Sequence, residues 1–423
     1  MGQAEDAGRT GSGGRRDAGH TSREPGAAPA FALTAAERAR RAELRELAAA
    51  RLRPLADAGP EGRVNRPLLA ALGELGLLRE AFESGALGLC LLRESLAYSC
   101  TEAETALALQ GLGGYPLRLA GGEEQRRRWL PGVTAGSAVA AFALSEPGAG
   151  SDAAALELTA HQEAGGDWRL TGTKSWISNA PDADVYTVFA RTGPEAGARG
   201  ITAFLLPGDR PGLTGERLDM LAPHAIGTLV LDGVPVGPGD VLGEVGRGFG
   251  LAMRTLDLFR PSVGAFALGM AEAALDATLR HTASRAAFGG TLGDLQAVRH
   301  RAAEMATRTE AARLLVYAAA AAYDRGDAGV AKTSAMAKLF ATEAAQYVVD
   351  SAVQLHGARA LRRGHPLERL YREVRAPRIY EGASEVQRTV IARELYRRLP
   401  PEEPPADATA PSHTGPGATQ ETP

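Results

Sequence analysis

Cysteine is almost missing from this chain: Cys90 and Cys100 are the only two in 423 residues. Two thiols cannot build a disulfide framework, and no Cys/His cluster has metal-ligand spacing. A stapled secreted module and a zinc-held fold are therefore excluded, no metal is expected, and a reducing compartment fits. Basic excess is missing too. The balance of 47 Lys+Arg against 50 Asp+Glu gives a net charge of −3, too little positive charge to neutralise a phosphate backbone, so nucleic acid is not an expected partner. Long apolar runs are absent. The longest, Leu314 to Tyr323, is closed by Arg313 and Asp324 and falls far short of the roughly 20 residues a bilayer span requires. Arg15-Arg16 is followed by Asp17-Ala18-Gly19-His20, which supplies no apolar export segment. No membrane span is expected, and the chain reads as cytoplasmic. What is present, 44% hydrophobic and 23% charged residues, is the composition of a globular protein with a large core.

Residues 1–31 and 401–423 carry no apolar period and cannot offset the entropy of ordering, so both are expected to be disordered tails. Residues 32–137 follow a helical pattern, with Leu44, Leu47, Leu52 and Leu55 and then Leu68, Leu69, Leu72, Leu75, Leu77 and Leu78 at near-helical spacing. The character changes near Ser137. Short strand-like pieces at Trp168–Leu170, Val185–Ala190, Ile201–Leu206 and Leu229–Leu231, with Gly, Pro, Asp or Asn between them, make 138–242 a β-domain. Over 243–400 the helical period returns in long Ala/Leu-rich segments at Ala271–Ser284, Asp294–Tyr323, Ala331–His356 and Ser384–Leu399, as in a helical bundle. Helices, strands, helices is an α+β multidomain order, which disfavours a doubly wound dinucleotide fold.

Three segments could carry chemistry. Leu144-Ser-Glu-Pro-Gly-Ala-Gly-Ser-Asp152 leaves a strand with glycines that let backbone N–H groups approach a ligand; a plain tight turn is the alternative. Gly172-Thr-Lys-Ser-Trp-Ile-Ser-Asn179 offers Trp176 as a flat face for an aromatic cofactor, with Ser178 on the same side of a regular strand; a core Trp at a strand end is the alternative. Lys174 is one of three lysines in an Arg-dominated chain. In Arg375-Ala-Pro-Arg-Ile-Tyr-Glu-Gly-Ala-Ser-Glu-Val-Gln387 the Ser384/Gln387 pair has capping-box spacing, which places Glu381 in the loop before a helix. Burial beside Ile379 and Tyr380 would raise its pKa and the helix N-terminus would lower it. A carboxylate poised near neutrality is what a general base requires; a solvated partner of the helix dipole is the alternative. Gly246-Arg-Gly-Phe-Gly250 lacks the last glycine of a dinucleotide fingerprint and has no βαβ unit around it, so a turn is expected. There is no Walker A sequence and no Gly-x-Ser-x-Gly elbow. The eight histidines are scattered without paired spacing.

These segments, together with Arg285-Ala-Ala-Phe-Gly289 followed by Gln296, stand in the order of, and resemble, the acyl-CoA dehydrogenase family of flavoproteins over about Leu33 to Leu399. The resemblance implies an N-terminal helical domain, a middle β-barrel-like domain and a C-terminal four-helix bundle, assembled as a homotetramer with FAD in each subunit. It implies that Glu381 removes the α-proton of an acyl thioester while flavin N5 accepts the β-hydride. By the same token Phe142, Leu144, Ser145, Gly150, Ser151, Trp176, Ile177 and Ser178 would line the flavin. Arg285, Phe288, Gln296, Gln354 and Gly357 would hold the pyrophosphate and adenosine part, partly across a subunit boundary, with Ala383 and Glu385 also beside the cofactor. Ser151, Asp257, Arg260, Tyr380 and Gly382 would contact substrate, and an electron acceptor such as an electron-transfer flavoprotein would follow. One family branch carries its base just before the arginine matched by Arg260, and there this chain has Phe259.

Three departures stand out. Gly357-Ala-Arg-Ala360 replaces a glycine-richer turn, Ala383 replaces a hydroxyl, and Leu78 to Leu89 is shorter than usual and borders the acyl pocket. The implied reaction is α,β-dehydrogenation of a small or alicyclic acyl-CoA. Its rivals are the same chemistry on a carrier-protein-bound acyl thioester, an oxygen-using flavoenzyme on this scaffold, and a non-catalytic helical interaction protein.

Overall fold

The computed structural model describes residues 33–193, 197–397 and Leu399; the expected tails, 1–31 and 401–423, lie outside the described residues. Seven helices come first: α1 (Ala35–Leu47), α2 (Arg53–Asp57), α3 (Arg66–Glu74), α4 (Leu77–Glu83), α5 (Gly85–Ser99), α6 (Thr101–Ala120) and α7 (Glu123–Ala135). Thr34 opens α1 with a capping box to Glu37, satisfying two donors that the helix start would otherwise leave unpaired. The leucines with helical spacing, among them Leu44, Leu52, Leu68, Leu72, Leu77 and Leu78, are buried.

Seven strands form the middle domain: β1 (Ala140–Ala143), β2 (Thr159–Gln162), β3 (Trp168–Ser178), β4 (Val185–Arg191), β5 (Ile201–Pro207), β6 (Leu213–Arg217) and β7 (Ile226–Val236). β1 runs parallel to β4 and β5 antiparallel to it. β2, β3, β7 and β6 form an antiparallel succession, joined to β4 through the Thr159 and Arg191 pair. The result is a mixed, curled sheet. Neither β1 nor β6 pairs onward to close it, so it stops short of a barrel. β2 and β6 were not anticipated: each is short and largely exposed, and carries too little alternation to be read.

The C-terminal region holds α8 (Gly248–Ser284), a small hairpin of β8 (Ala286–Ala287) and β9 (Gly290–Thr291), α9 (Gln296–Arg325), α10 (Val330–His356), α11 (Pro366–Glu373) and α12 (Ser384–Tyr396). α8 corrects two expectations. It begins at Gly248, far before Ala271, so the second half of the glycine motif opens a helix and is not a turn. Packing overrides the weak propensity of its Gly and Pro residues. Gly248 abuts the β5 backbone, where a Cβ would lie 2.5 Å from Ala203 N, and Gly269 abuts α5, 2.3 Å from Glu94 O. α8 is also long and apolar enough to cross a bilayer by length and composition, but 72% of its most apolar window is buried inside the fold.

The helical and β regions meet where α6 lies on β1. Gln110 ties the junction: its Nε2 donates to Val133 O at 2.9 Å and Ala138 O at 2.5 Å, and its Oε1 accepts from Ala140 N at 3.0 Å. A Cβ on Gly113 would stand 2.5 Å from Ala140 C and Ala141 N, backbone atoms that cannot swing aside. Gly113→Ala is therefore expected to cost about 1–3 kcal/mol, read as a lowered denaturation midpoint at unchanged slope. Gly250→Ala, where a Cβ meets nothing within 4 Å, should leave the midpoint in place or raise it.

Candidate active site

Glu381 sits in the turn between α11 and α12, and its backbone is unusual. It adopts φ +50 and Gly382 follows at φ +93, two consecutive left-handed residues, of which only the glycine does so without steric cost. The anticipated capping box does not form. Ser384 is the first residue inside α12, with Ala383 as its cap and no side-chain cap bond. Its hydroxyl instead donates to Glu343 Oε1 on α10 at 2.7 Å. Gln387 turns back to the carbonyls of Gly382 (2.9 Å) and Glu381 (3.3 Å). Lys338 on α10, fully buried, donates to the same Gly382 carbonyl at 2.7 Å.

The Glu381 side chain is half-buried, and its Oε2 is sealed from solvent without a hydrogen-bond partner among the described residues. Burial raises its pKa, against the opposing pull of Arg93, Lys338 and Arg260. Of the expected neighbours, Ile379 is 59% exposed, whereas the Tyr380 hydroxyl is buried, and its pKa is raised by that burial and in part by the Glu381 charge. The charges facing it lie on α5, α8 and α10.

Those helices supply residues that the sequence reading passed over. Arg93 is buried, donating from Nε to Glu104 Oε1 at 2.5 Å and from Nη1 to Ser262 Oγ at 2.7 Å. Glu104, also buried, is pushed up to about 7 by desolvation against the pull of Arg93. His224, in the loop before β7, bonds Glu373 of α11 at 2.6 Å. The signal was available for Lys338: it shares a buried stripe with Ser334, Ala337, Ala341, Thr342 and Ala345, a place where a lysine needs a reason. Arg260, its Nε without a partner, pairs with Asp257 at 2.6 Å, and burial raises the Asp257 carboxyl. Phe259 is packed in the core against Tyr115, ring centroids 6.0 Å apart.

The second group surrounds the loop after β1. Phe142 is half-buried, Leu144 buried, Ser145 half-buried, and Gly150 and Ser151 exposed. Beneath this loop, buried Lys174 donates to Leu144 O at 2.9 Å and Glu146 Oε1 at 2.8 Å. Glu146 in turn accepts from Glu157 N (2.6 Å) and Leu158 N (3.0 Å). Lys174 is thus a strut inside the protein, and burial lowers it to about 8 against the pull of Glu146. Trp176 is not a core residue. A register shift between Lys174 and Ile177 breaks the strand alternation, sets Trp176 at φ +62 and leaves it 57% exposed. Ile177 is buried and Ser178 half-buried beside it.

The third group is remote in the chain's own fold. Arg285, Phe288, Gln296, Gln354 and Gly357 are all exposed at the far end of the bundle, Phe288 89% so. About 38 Å of α8 separates Phe259 from Ser284 at 1.5 Å per residue, so this group does not share one site with Glu381. Three of the histidines gather here, His281 stacked on His356 at 4.2 Å and His365 edge-on to it at 5.8 Å, a cluster that their separation in sequence concealed. Ala383 is half-buried, and Glu385 is exposed and pairs with Arg388. No cluster of metal-ligand side chains occurs among the described residues.

Comparison with known proteins follows the same three-part order. Models of the N-terminal, middle and C-terminal domains of acyl-CoA dehydrogenases match residues 34–137, 141–234 and 246–396. Cyclohexane-1-carbonyl-CoA dehydrogenase of Geobacter metallireducens is 38% identical over 366 residues, covering 84% of this chain and 96% of that protein. Butyryl-CoA dehydrogenase from Megasphaera elsdenii superposes with a TM-score of 0.81 at 33% identity, over 87% of this chain and all of that one. The FAD complex of PigA superposes equally well, TM-score 0.81, at 26% identity over 87% of this chain and all of the other.

Proposed function

Since the chain belongs to the acyl-CoA dehydrogenase family, FAD-dependent oxidoreductases, we propose that it desaturates a small or alicyclic acyl-CoA between the α and β carbons, with Glu381 as the base. The observation that carries this reading is the sealed, unpartnered Oε2 of Glu381. A buried carboxylate oxygen without a donor is costly to keep, and its burial raises the carboxyl pKa above the ordinary carboxylate range, which makes it a stronger acceptor for a proton from carbon.

The residues fit a flavin. Trp176 presents an indole to solvent at a place where the strand breaks rhythm, and a Cβ on Gly148 or Gly150 would meet nothing within 4 Å, leaving backbone open to a ligand. Phe142, Leu144, Ser145, Gly150, Ser151, Trp176, Ile177 and Ser178 would hold the ring system. FAD would supply the acceptor for the β-hydride. The chain's own part is to bind the acyl thioester, keep water from the Glu381 carboxylate, and take the α-proton on it. The Glu381 N–H, and Tyr380 and Gly382 on either side, would face the substrate, while Asp257 and Arg260 would line the CoA path and Ser151 would touch the acyl group.

Arg285, Phe288, Gln296, Gln354 and Gly357, too far along α8 to serve this chain's own flavin, would reach the cofactor of a neighbouring subunit in a homotetramer. A guanidinium at position 285 suits a diphosphate. Ala383 and Glu385 would flank the cofactor. The reduced flavin would pass electrons to an electron-transfer flavoprotein. The two free, buried cysteines accord with work in the cytoplasm.

Anaerobic titration of the purified yellow protein tests the reading. Cyclohexane-1-carbonyl-CoA and butyryl-CoA are expected to bleach the visible flavin band and to yield the α,β-unsaturated thioester. The same acyl groups on a carrier protein should bleach it at least ~10-fold more slowly, a difference of about 1.4 kcal/mol. Faster bleaching by the carrier form moves the reaction to carrier-bound thioesters. Turnover only with oxygen makes the protein an oxidase, and colourless protein removes the enzyme altogether.

A further inference from the structure

A base on two successive left-handed residues needs its backbone held, because the path of the turn through Glu381, Gly382 and Ala383 fixes where the carboxylate points. In this protein the Gly382 carbonyl accepts two side-chain donors from different helices: Lys338 Nζ at 2.7 Å from α10 and Gln387 Nε2 at 2.9 Å from α12. Gln387 also reaches Glu381 O at 3.3 Å. Lys338 is completely buried on the packed face of α10. Keeping an ammonium there costs desolvation energy unless a counter-charge and an acceptor are provided. The acceptor is the Gly382 carbonyl. The largest opposing charge acting on it is Glu381 itself, ahead of Glu343 on α10 and Glu385 on α12, while Arg260 on α8 repels it.

We infer that Lys338 is a positioning residue for the base. Its ammonium and the Gln387 amide clamp the Gly382 carbonyl and so fix the Glu381 turn, and its charge lies behind the carboxylate and favours the ionised form. The inference rests on Glu381 being the base. The division of labour is specific: Gln387 holds without charge, Lys338 holds with charge. The other titratable groups around the pair are Arg93 from α5, which also faces Glu381, Arg260 from α8, Tyr380 next to the base in the same turn, and Glu104 from α6, which pairs with Arg93. None of these donates to the turn's carbonyls.

The sign of the electrostatic part follows. Lys338 pulls the Glu381 pKa down against the upward push of burial. Lys338 itself is lowered to about 8 by burial, so it remains charged at neutral pH. Removing the ammonium must raise the pKa of the base and move the acidic limb of the kcat profile to higher pH.

Three full-length, flavin-loaded variants separate the two roles. Lys338→Met loses hold and charge: kcat should fall roughly 10- to 100-fold from misplacement of the base, with the acidic limb raised by roughly 1 pH unit and KM within about 3-fold. Gln387→Leu loses hold but keeps the charge, so kcat should fall while the limb stays. Lys338→Gln keeps a donor without charge, so the limb should rise with a smaller loss of kcat. The Glu381 carboxyl band, assigned by infrared difference against Glu381→Gln and titrated without turnover, should shift upward in both Lys338 variants and stay fixed in Gln387→Leu. A Lys338→Met protein with the wild-type titration, whether its kcat is intact or merely lower at every pH, overturns the inference. Retained turnover in Glu381→Gln overturns the base assignment itself. An inactive Glu381→Gln together with an unmoved titration in Lys338→Met removes the role given to Lys338 and leaves Glu381 as the base.

Discussion

Glu381→Gln is expected to keep its fold and its yellow colour and to lose on the order of 10⁴-fold in the rate of flavin bleaching, the upper range of what a positioned proton acceptor contributes. The amide has the shape of the carboxylate and cannot take a proton from carbon. Its polar atoms meet the same surroundings, in which Oε2 already has no partner, so no hydrogen bond of Oε2 is lost. Stopped-flow reduction with saturating acyl-CoA measures the step directly; a loss below ~10-fold sinks the role of Glu381. The pH profile of the unmodified enzyme carries the matching signature. Because burial raises the carboxyl, the acidic limb of kcat must lie above the ordinary carboxylate range near 4.3. The rate falls as pH drops through that raised value, since only the deprotonated form accepts the proton.

Why Glu381 was legible and its setting was not comes down to distance along the chain. The turn's composition, a carboxylate next to Gly382 just ahead of a helix, is local, and so are the strand-leaving loop at 144–152 and the Trp176 segment. The helix, strand, helix order was equally open to reading, because apolar period changes from 3.6 to 2 and back. Lys338 and Arg93 lie 43 and 288 positions from Glu381 in sequence, and only packing brings them to it. The register shift that exposes Trp176 depends on how β3 meets β7, and the capping box failed because the cap falls one position earlier, at Ala383, which leaves Ser384 inside α12 with its hydroxyl donated to Glu343 on another helix. α8 was read short because Gly and Pro count against a helix locally, whereas the close approaches to β5 and α5 that require glycine are made by distant residues.

The Arg93 and Glu104 pair carries the largest expected effect on stability. Both side chains are almost wholly excluded from solvent, and among the described residues Arg93 donates to Glu104 and Ser262. Glu104→Leu strands a guanidinium beneath the site, with Glu381 as the next counter-charge acting on it. Breaking a buried pair from one side costs about 3–5 kcal/mol, whereas replacing both partners with apolar groups of similar volume is near neutral. The single variant should therefore unfold at a much lower denaturant concentration, and Arg93→Met combined with Glu104→Leu should recover most of the loss. Glu381, the proposed base, reports the same charges independently. Glu104 loses its charge below about 7, so the single variant should leave the acidic limb of kcat close to its wild-type position, still drawn down by Arg93. Its removal should send the limb above the wild-type position in the double variant. Equal destabilisation of single and double variants, or a limb that moves the same way in both, would mean that shape at this position matters and charge does not.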